Sequence, residues 1–246
     1  MCHLCDTSEA VQSRQPTRRR FLTAAGGIAA GIAFAPSAFA KDTKPPPKPQ
    51  NVISPDEALE RLMKGNGRYV EGTSRRHDFK HEREALAGGQ NPYASILSCA
   101  DSRIAPEYAF DSGRGDLFVC RVAGNFANDD TVASLEYSVA VLNSPFILVL
   151  GHESCGAVDA TIKSLKDNTT LPGHLPSLVT ALAPAVKAVT GQPGDLLANA
   201  TKRNVIDTIA KLKAATPILS AAVGNGKLKI VGGVYRLGDG RVEMVN

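Results

Sequence analysis

The stretch "DLFVCRVAGNFANDDTVASLEYSVAVLNSPFILVLG", Asp116 to Gly151, decides the fold. It opens on one apolar segment with few breaks, Asp116 to Ala123, and closes on another, Pro145 to Gly151. Runs this uninterrupted suit strands covered on both faces, as in a parallel sheet. Between them apolar residues recur at 132, 135, 139 and 142, which is helical spacing. Strand, helix, strand is the right-handed crossover that joins parallel neighbours. Upstream, "YASILSC", Tyr93 to Cys99, reads as a third strand of the same kind.

Working outward, Ser54-Pro55-Asp56-Glu57 supplies an N-cap, a proline at the first helical position and the returning acid of a capping box. Ala58, Leu59, Leu62 and Met63 then share one helical face. Downstream, Val205, Ile206, Ile209 and Leu212 lie on one side of a helix, and residues from about Pro172 to Leu197 read as helix with breaks. The last segment, "KLKIVGGVYRLGDGRVEMVN", reads as a strand, an Asp-Gly turn and another strand. The expected architecture is α/β: a mostly parallel central β-sheet flanked by helices, with a helical N-terminal arm, over residues 53–246. In such sheets ligands gather beyond the carboxyl ends of the strands.

A chain of 246 residues with 43% hydrophobic residues can build a sizeable core, which excludes a disordered or fibrous protein. Residues 1–40 hold four arginines against Asp6 and Glu9, so they supply +2 of the formal charge of +4. The remaining balance gives no support to nucleic-acid binding.

"TRRRFL", Thr17 to Leu22, followed by an Ala/Gly-rich run and Ala38-Phe39-Ala40, resembles a twin-arginine signal with Arg18 and Arg19 as its pair. The run is short and weakly hydrophobic for a bilayer of roughly 30 Å, so no stable membrane anchor is expected. Residues 1–40 read as a signal peptide and 41–52 as a proline-rich linker, which makes the protein periplasmic or secreted, exported folded. Cys2, His3 and Cys5 form a metal-like cluster inside the segment expected to be removed, and read as an unstructured leader.

That leaves Cys99, Cys120 and Cys155, an odd count that does not look like a disulfide framework. Cys99 ends the first strand, while His152 and Cys155 in "GHESCGAV" follow the third. Two thiolates and an imidazole are a donor set that Zn²⁺ prefers, and three protein ligands leave a fourth position free. From the loop after Cys99, Asp101 either becomes a fourth ligand or pairs with Arg103 and accepts a hydrogen bond from a water at the metal. Cys120, inside an apolar strand, reads as core; His77 and His81 sit in the charged "RRHDFKHERE" and read as surface.

Together these motifs, with "GNGRYVEG", "CADSR", "LFVCRVAGN", "SLEYSV", "NVIDTIAKL" and "GGVYRLGDGRV", resemble the β-class carbonic anhydrases over most of the chain after residue 53. The resemblance implies a zinc lyase, one Zn²⁺ per chain, that reversibly hydrates CO₂ to bicarbonate and a proton. Cys99, His152 and Cys155 match the metal ligands, and Asp101 and Arg103 the catalytic carboxylate–arginine pair. Gln90, Phe118 and Tyr137 match residues that bind substrate, partly across a subunit boundary, which implies a homodimer or higher homo-oligomer. Some members hold a regulatory bicarbonate with a tryptophan, an arginine and a tyrosine. Here Ile96 stands in place of the tryptophan, with Arg121 and Tyr235 in the other two positions, so an open metal site with water is expected. The same donor set also suits a carbon disulfide or carbonyl sulfide hydrolase on this fold, a non-catalytic zinc domain, or a thiol redox protein with a Cys99–Cys155 disulfide.

Overall fold

The computed structural model describes residues 52–245. The expected signal peptide and the expected linker, Val52 excepted, lie outside the described residues, as does the Cys2, His3, Cys5 cluster. Helices α1 (Pro55–Val70) and α2 (Phe79–Leu86) precede β1 (Ala94–Ser98). There follow α3 (Pro106–Ala109), β2 (Leu117–Arg121), α4 (Asp129–Ala140) and β3 (Phe146–His152). Four helices, α5 (Gly156–Asp167), α6 (Pro176–Val189), α7 (Leu196–Ala214) and α8 (Ile218–Gly224), then lead to β4 (Lys229–Tyr235) and β5 (Val242–Val245).

The strands form one sheet in the order β2-β1-β3-β4-β5. All neighbours are parallel except β4 and β5, which pair antiparallel across the Asp239-Gly240 turn. β1 and β3 are buried along their whole length, which is why their sequences carry no polar alternation. Successive side chains still take opposite faces. Ile96, Leu148 and Leu150 pack with Ala58 and Leu62 of α1, while Leu97, Ile147 and Val149 pack with Leu135 of α4 and Val205 and Leu212 of α7.

The expected capping box forms, with Ser54 Oγ accepting from Glu57 N–H and Glu57 Oε2 accepting from Ser54 N–H. The expected N-terminal arm divides in two. α1 belongs to the core through Ala58 and Leu62, whereas α2 buries no residue. The expected face of α7 shifts as well: Val205 and Leu212 are fully buried, but Ile206 is 37% exposed. The buried stripe runs through Thr201, Val205, Thr208 and Leu212, and Ile206 lies about 100° round the helix from Val205.

Where the backbone of α1 meets the end of α3 there is no room for a side chain: a Cβ on Gly65 would run into the Phe110 carbonyl. Nearby, Asp111 ties three segments together. Its side chain is 1% exposed, and its carboxylate accepts from Arg68 Nε and from the N–H and Nε of Arg75. Burial alone pushes the Asp111 carboxyl up, but the hydrogen bonds from Arg68 and Arg75 outweigh it and hold the group below its usual range. A depressed folded-state pKa stabilises above the unfolded value near 4, and that stabilisation disappears as pH falls through the folded value. Urea midpoints measured from pH 7 down to pH 3 will therefore fall more steeply for the wild type than for Asp111→Asn. At pH 7 the variant starts about 3 kcal/mol less stable, as expected on breaking a buried pair.

Candidate metal centre

Three elements deliver the donors to one place. Cys99 directly follows β1, His152 ends β3, and Cys155 is the N-cap of α5. Because β1 and β3 are parallel neighbours, with Ser98 in register with Leu150, both strands end on the same side of the sheet. Ser154 supplies the reversal between His152 and Cys155 by taking φ 53°, the left-handed region. The sulfur and nitrogen donors of Cys99, His152 and Cys155 all lie within 4.8 Å of one another, and all three residues are buried.

The imidazole is oriented by its other nitrogen. His152 Nδ1 lies 2.8 Å from the Glu153 carbonyl, so Nδ1 carries the proton and Nε2 presents its lone pair. Nε2 is buried with no hydrogen-bond partner among the described residues. A buried nitrogen without a partner is costly, and two thiols beside it complete a donor set for zinc. The residues therefore fit the metal.

Around the sulfurs the protein supplies N–H groups. Gly124 N–H donates to Cys99 Sγ at 3.3 Å. The Cys99 thiol is drawn down, first by a hydrogen bond from Cys155, against burial, and further by the Gly124 amide. Cys155 is pushed up by the same bond to Cys99 and by burial, with the amides of Val158 and Ala157 at the start of α5 opposing. Both cysteines are free thiols, so the expected alternative of a Cys99–Cys155 disulfide is not what the structure contains.

Asp101 and Arg103 pair as expected. Arg103 donates from Nε and Nη2 to the two Asp101 oxygens at 2.9 and 2.7 Å, and its own N–H donates to Oδ1 at 2.9 Å. Arg103 Nη2 also reaches the Ser154 carbonyl at 3.2 Å, which joins the dyad to the loop between the other two ligands. The Arg103 side chain, chiefly, holds the Asp101 carboxyl well below the usual carboxylate range. Asp101 Oδ2 stands 3.9 Å from His152 Nε2.

Gln90, Phe118 and Tyr137 are not brought to this cluster within the chain. Phe118 stands beside Ser95 in the sheet, four residues before Cys99 and so roughly 13 Å away along the strand. Gln90 precedes the opposite end of β1 and is exposed. Tyr137, on α4, is 48% exposed and faces Phe118, with ring centroids 6.4 Å apart.

The two remaining bicarbonate-pocket positions are engaged elsewhere. Arg121 donates to backbone carbonyls, and Tyr235 Oη is 3.1 Å from Tyr69 Oη. Cys120 is buried, with its thiol pushed up by burial. His81 is exposed beside Asp78, but His77 is only half-buried surface, 3.1 Å from Glu82 and stacked on Phe79. A cavity of about 950 Å³ lined by Phe79, Leu86, Tyr108 and Arg114 lies on the α2 side and includes none of the donors.

Sequence reasoning missed the N–H from Gly124, the Glu153 carbonyl and the Arg121 contacts. A charged residue closing an apolar strand, as Arg121 does in "LFVCRVA", was the available signal.

Comparison with known proteins agrees with this geometry. The family described as carbonic anhydrase matches residues 94–242. Carbonic anhydrase 2 of Mycobacterium tuberculosis is 40% identical over 192 residues, covering 78% of this chain and 93% of its own length. A carbonic anhydrase of Mycolicibacterium smegmatis is 37% identical over 194 residues, with coverage of 78% and 93%. Among solved structures, the β-carbonic anhydrase CcaA superposes with a TM-score of 0.59 at 29% identity, covering 76% of this chain and 95% of its own.

Proposed function

The chain belongs to the β-class carbonic anhydrase family, and from that premise we propose that it hydrates CO₂ at a zinc ion held by Cys99, His152 and Cys155. It is a carbonate dehydratase; the zinc, the residue roles, the assembly and the location are the parts proposed. One observation carries the zinc assignment: three buried donors within 4.8 Å of one another, one of them a histidine nitrogen with no hydrogen-bond partner among the described residues.

When bound, zinc supplies a Lewis acid that makes hydroxide available near neutral pH. The chain's own residues do the rest. The Glu153 carbonyl fixes the His152 tautomer, and the Gly124 amide supports the Cys99 thiolate. Arg103 keeps Asp101 ionised, so Asp101 can only accept a hydrogen bond and orients the attacking water's lone pair toward CO₂.

Phe118 and Tyr137, distant from their own chain's thiols, are proposed to wall the site of a second copy, with Gln90 donating to a substrate oxygen there. β2 supports this: it is an edge strand whose outer side has no partner strand among the described residues, and a bare edge invites pairing. Residues 1–40 are proposed to direct folded export, read by fractionating cells that express the full chain. Among the described residues no helix is long and apolar enough to cross a membrane.

The test is stopped-flow CO₂ hydration with metal analysis and sedimentation on the same preparation. One zinc per chain, rapid hydration and a dimer or larger species are expected. A well-folded protein that takes up no zinc, or holds zinc and leaves CO₂ untouched, would sink the reading.

A further inference from the structure

Helix α2 is short and rests on little. It has 8 residues, buries none of them, and is capped at its start by Asp78, which accepts from His81 N–H at 3.2 Å. A helix of that length is marginal in water unless it packs on something. The chain does not fill the space beneath it. The cavity of about 950 Å³ lies there, between α2 and the segment that runs from α3 to the start of β2. Volumes of this order are usual for small-molecule sites, and none of the zinc donors lines this one.

The walls are apolar and rich in rings. Tyr69, Phe79 and Tyr108 line the cavity together with Leu86 and Leu117. Phe79 is 57% and Tyr108 71% exposed, so two large apolar side chains left in solvent meet at one cavity. Exposed apolar surface gathered in this way marks a place of binding.

Charge on the same walls is unbalanced. Asp111 is already neutralised, because its carboxylate accepts from both Arg68 and Arg75, and His77 is engaged by Glu82. Arg83 and Arg114 pair with no carboxylate among the described residues, and the Arg114 guanidinium lies 5.6 Å from the centre of the Phe79 ring. Against these two cations stands Glu107, also without an ion pair among the described residues. The cavity is therefore electropositive. An aromatic body with one carboxylate suits both features, since rings pack on rings and the guanidinium fork matches a carboxylate.

We propose that this cavity is a second binding site, separate from the metal centre, for a small aromatic carboxylate, with its ring on the Phe79 and Tyr108 walls, its carboxylate on Arg83 and Arg114, and α2 as the roof it secures. The site does not rest on the zinc reading.

The test titrates naphthoate into the metal-loaded full chain by calorimetry, beside naphthylmethanol, which has the same rings and no charge. Wild type is expected to bind naphthoate at or below about 0.1 mM, and its α2 amides to exchange hydrogen more slowly when it is bound. The alcohol is expected to bind at least about 10-fold more weakly. The double variant Arg83→Gln with Arg114→Gln replaces two exposed side chains. It is expected to lose naphthoate affinity by the same factor while keeping wild-type kcat and KM for CO₂. Carboxylates also ligate metals, so Cys99→Ser is the control and is expected to bind naphthoate as the wild type does. If that variant does not fold, wild type saturated with azide takes its place.

A wild type that binds no naphthoate overturns the site, and if Leu86→Arg then sediments as a smaller species the cavity belongs to a second copy of the chain. Equal binding of the alcohol, or a double variant that binds naphthoate unchanged, removes the carboxylate from the two arginines and overturns it as well. Binding that vanishes in the control assigns the carboxylate to the metal instead.

Discussion

Replacing Cys99 with serine is expected to strip the protein of its metal and of CO₂ hydration while leaving the fold intact. Cys99 is 4% exposed and packs among Cys155, Val158 and Leu182, so a serine of nearly the same shape is accommodated. What changes is the donor: a serine hydroxyl stays protonated at neutral pH and offers zinc a poor ligand. Losing even an outer partner of a metal ligand costs 10–100-fold in affinity or activity, so losing a ligand is expected to exceed about 100-fold. Elemental analysis should find well under one zinc per chain, beside a circular-dichroism spectrum like that of the wild type. Wild-type zinc content together with wild-type hydration would remove Cys99 from the site.

A loss of stability as large as that expected for Asp111→Asn is expected from a single methyl group. Gly65→Ala puts a Cβ against the Phe110 carbonyl, which is backbone and cannot swing aside. In the interior of a helix, alanine normally gains about 1 kcal/mol over glycine. Here the clash reverses the sign, for a net loss of about 3 kcal/mol, or a melting temperature lower by roughly 10 °C. Gly67→Ala is the matched control, since it lies two residues along the same helix and its Cβ would meet nothing within 4 Å. That variant should melt higher than the wild type. If both variants melt higher, α1 does not sit on Phe110 as described.

The features that sequence showed well are those written in local chemistry. β1 and β3 were visible because strands buried on both faces must be apolar throughout; β2 reads the same way although it is a half-buried edge strand ending on the exposed Arg121, and the ends of all three differ from the expected ones by a residue or two. The break expected before Leu197 falls between α6 and α7, where Asp195 caps α7 by accepting from Ala198 N–H. The donor set was visible because few residues bind zinc. What escaped depends on which backbone comes near which side chain. "LFVCRVA" marks Arg121 as a charge closing an apolar strand, but not that its partners are three carbonyls of a loop more than fifteen residues earlier. Likewise α5 and α8 went unread, and Ile206 shares the composition of its buried neighbours while lying off their stripe. Gln90, Phe118 and Tyr137 were legible only by resemblance, and their distance from the thiols is a property of the sheet register.

The parallel pairing of β1 with β3 also bears on when the metal can arrive. Cys99 and the His152–Cys155 pair belong to strands separated in sequence by α3, β2 and α4. They meet only once the crossover is made and the register is set, a non-local event of the kind that folds late. Tight capture of the ion then certifies completed topology, because a half-folded chain has only two of the donors, His152 and Cys155, near each other in sequence. Since binding free energy adds directly to folding free energy, the loaded molecule would resist unfolding and proteolysis more than its empty counterpart. For a chain proposed to leave the cytoplasm already folded, the ion acts as a seal on finished work.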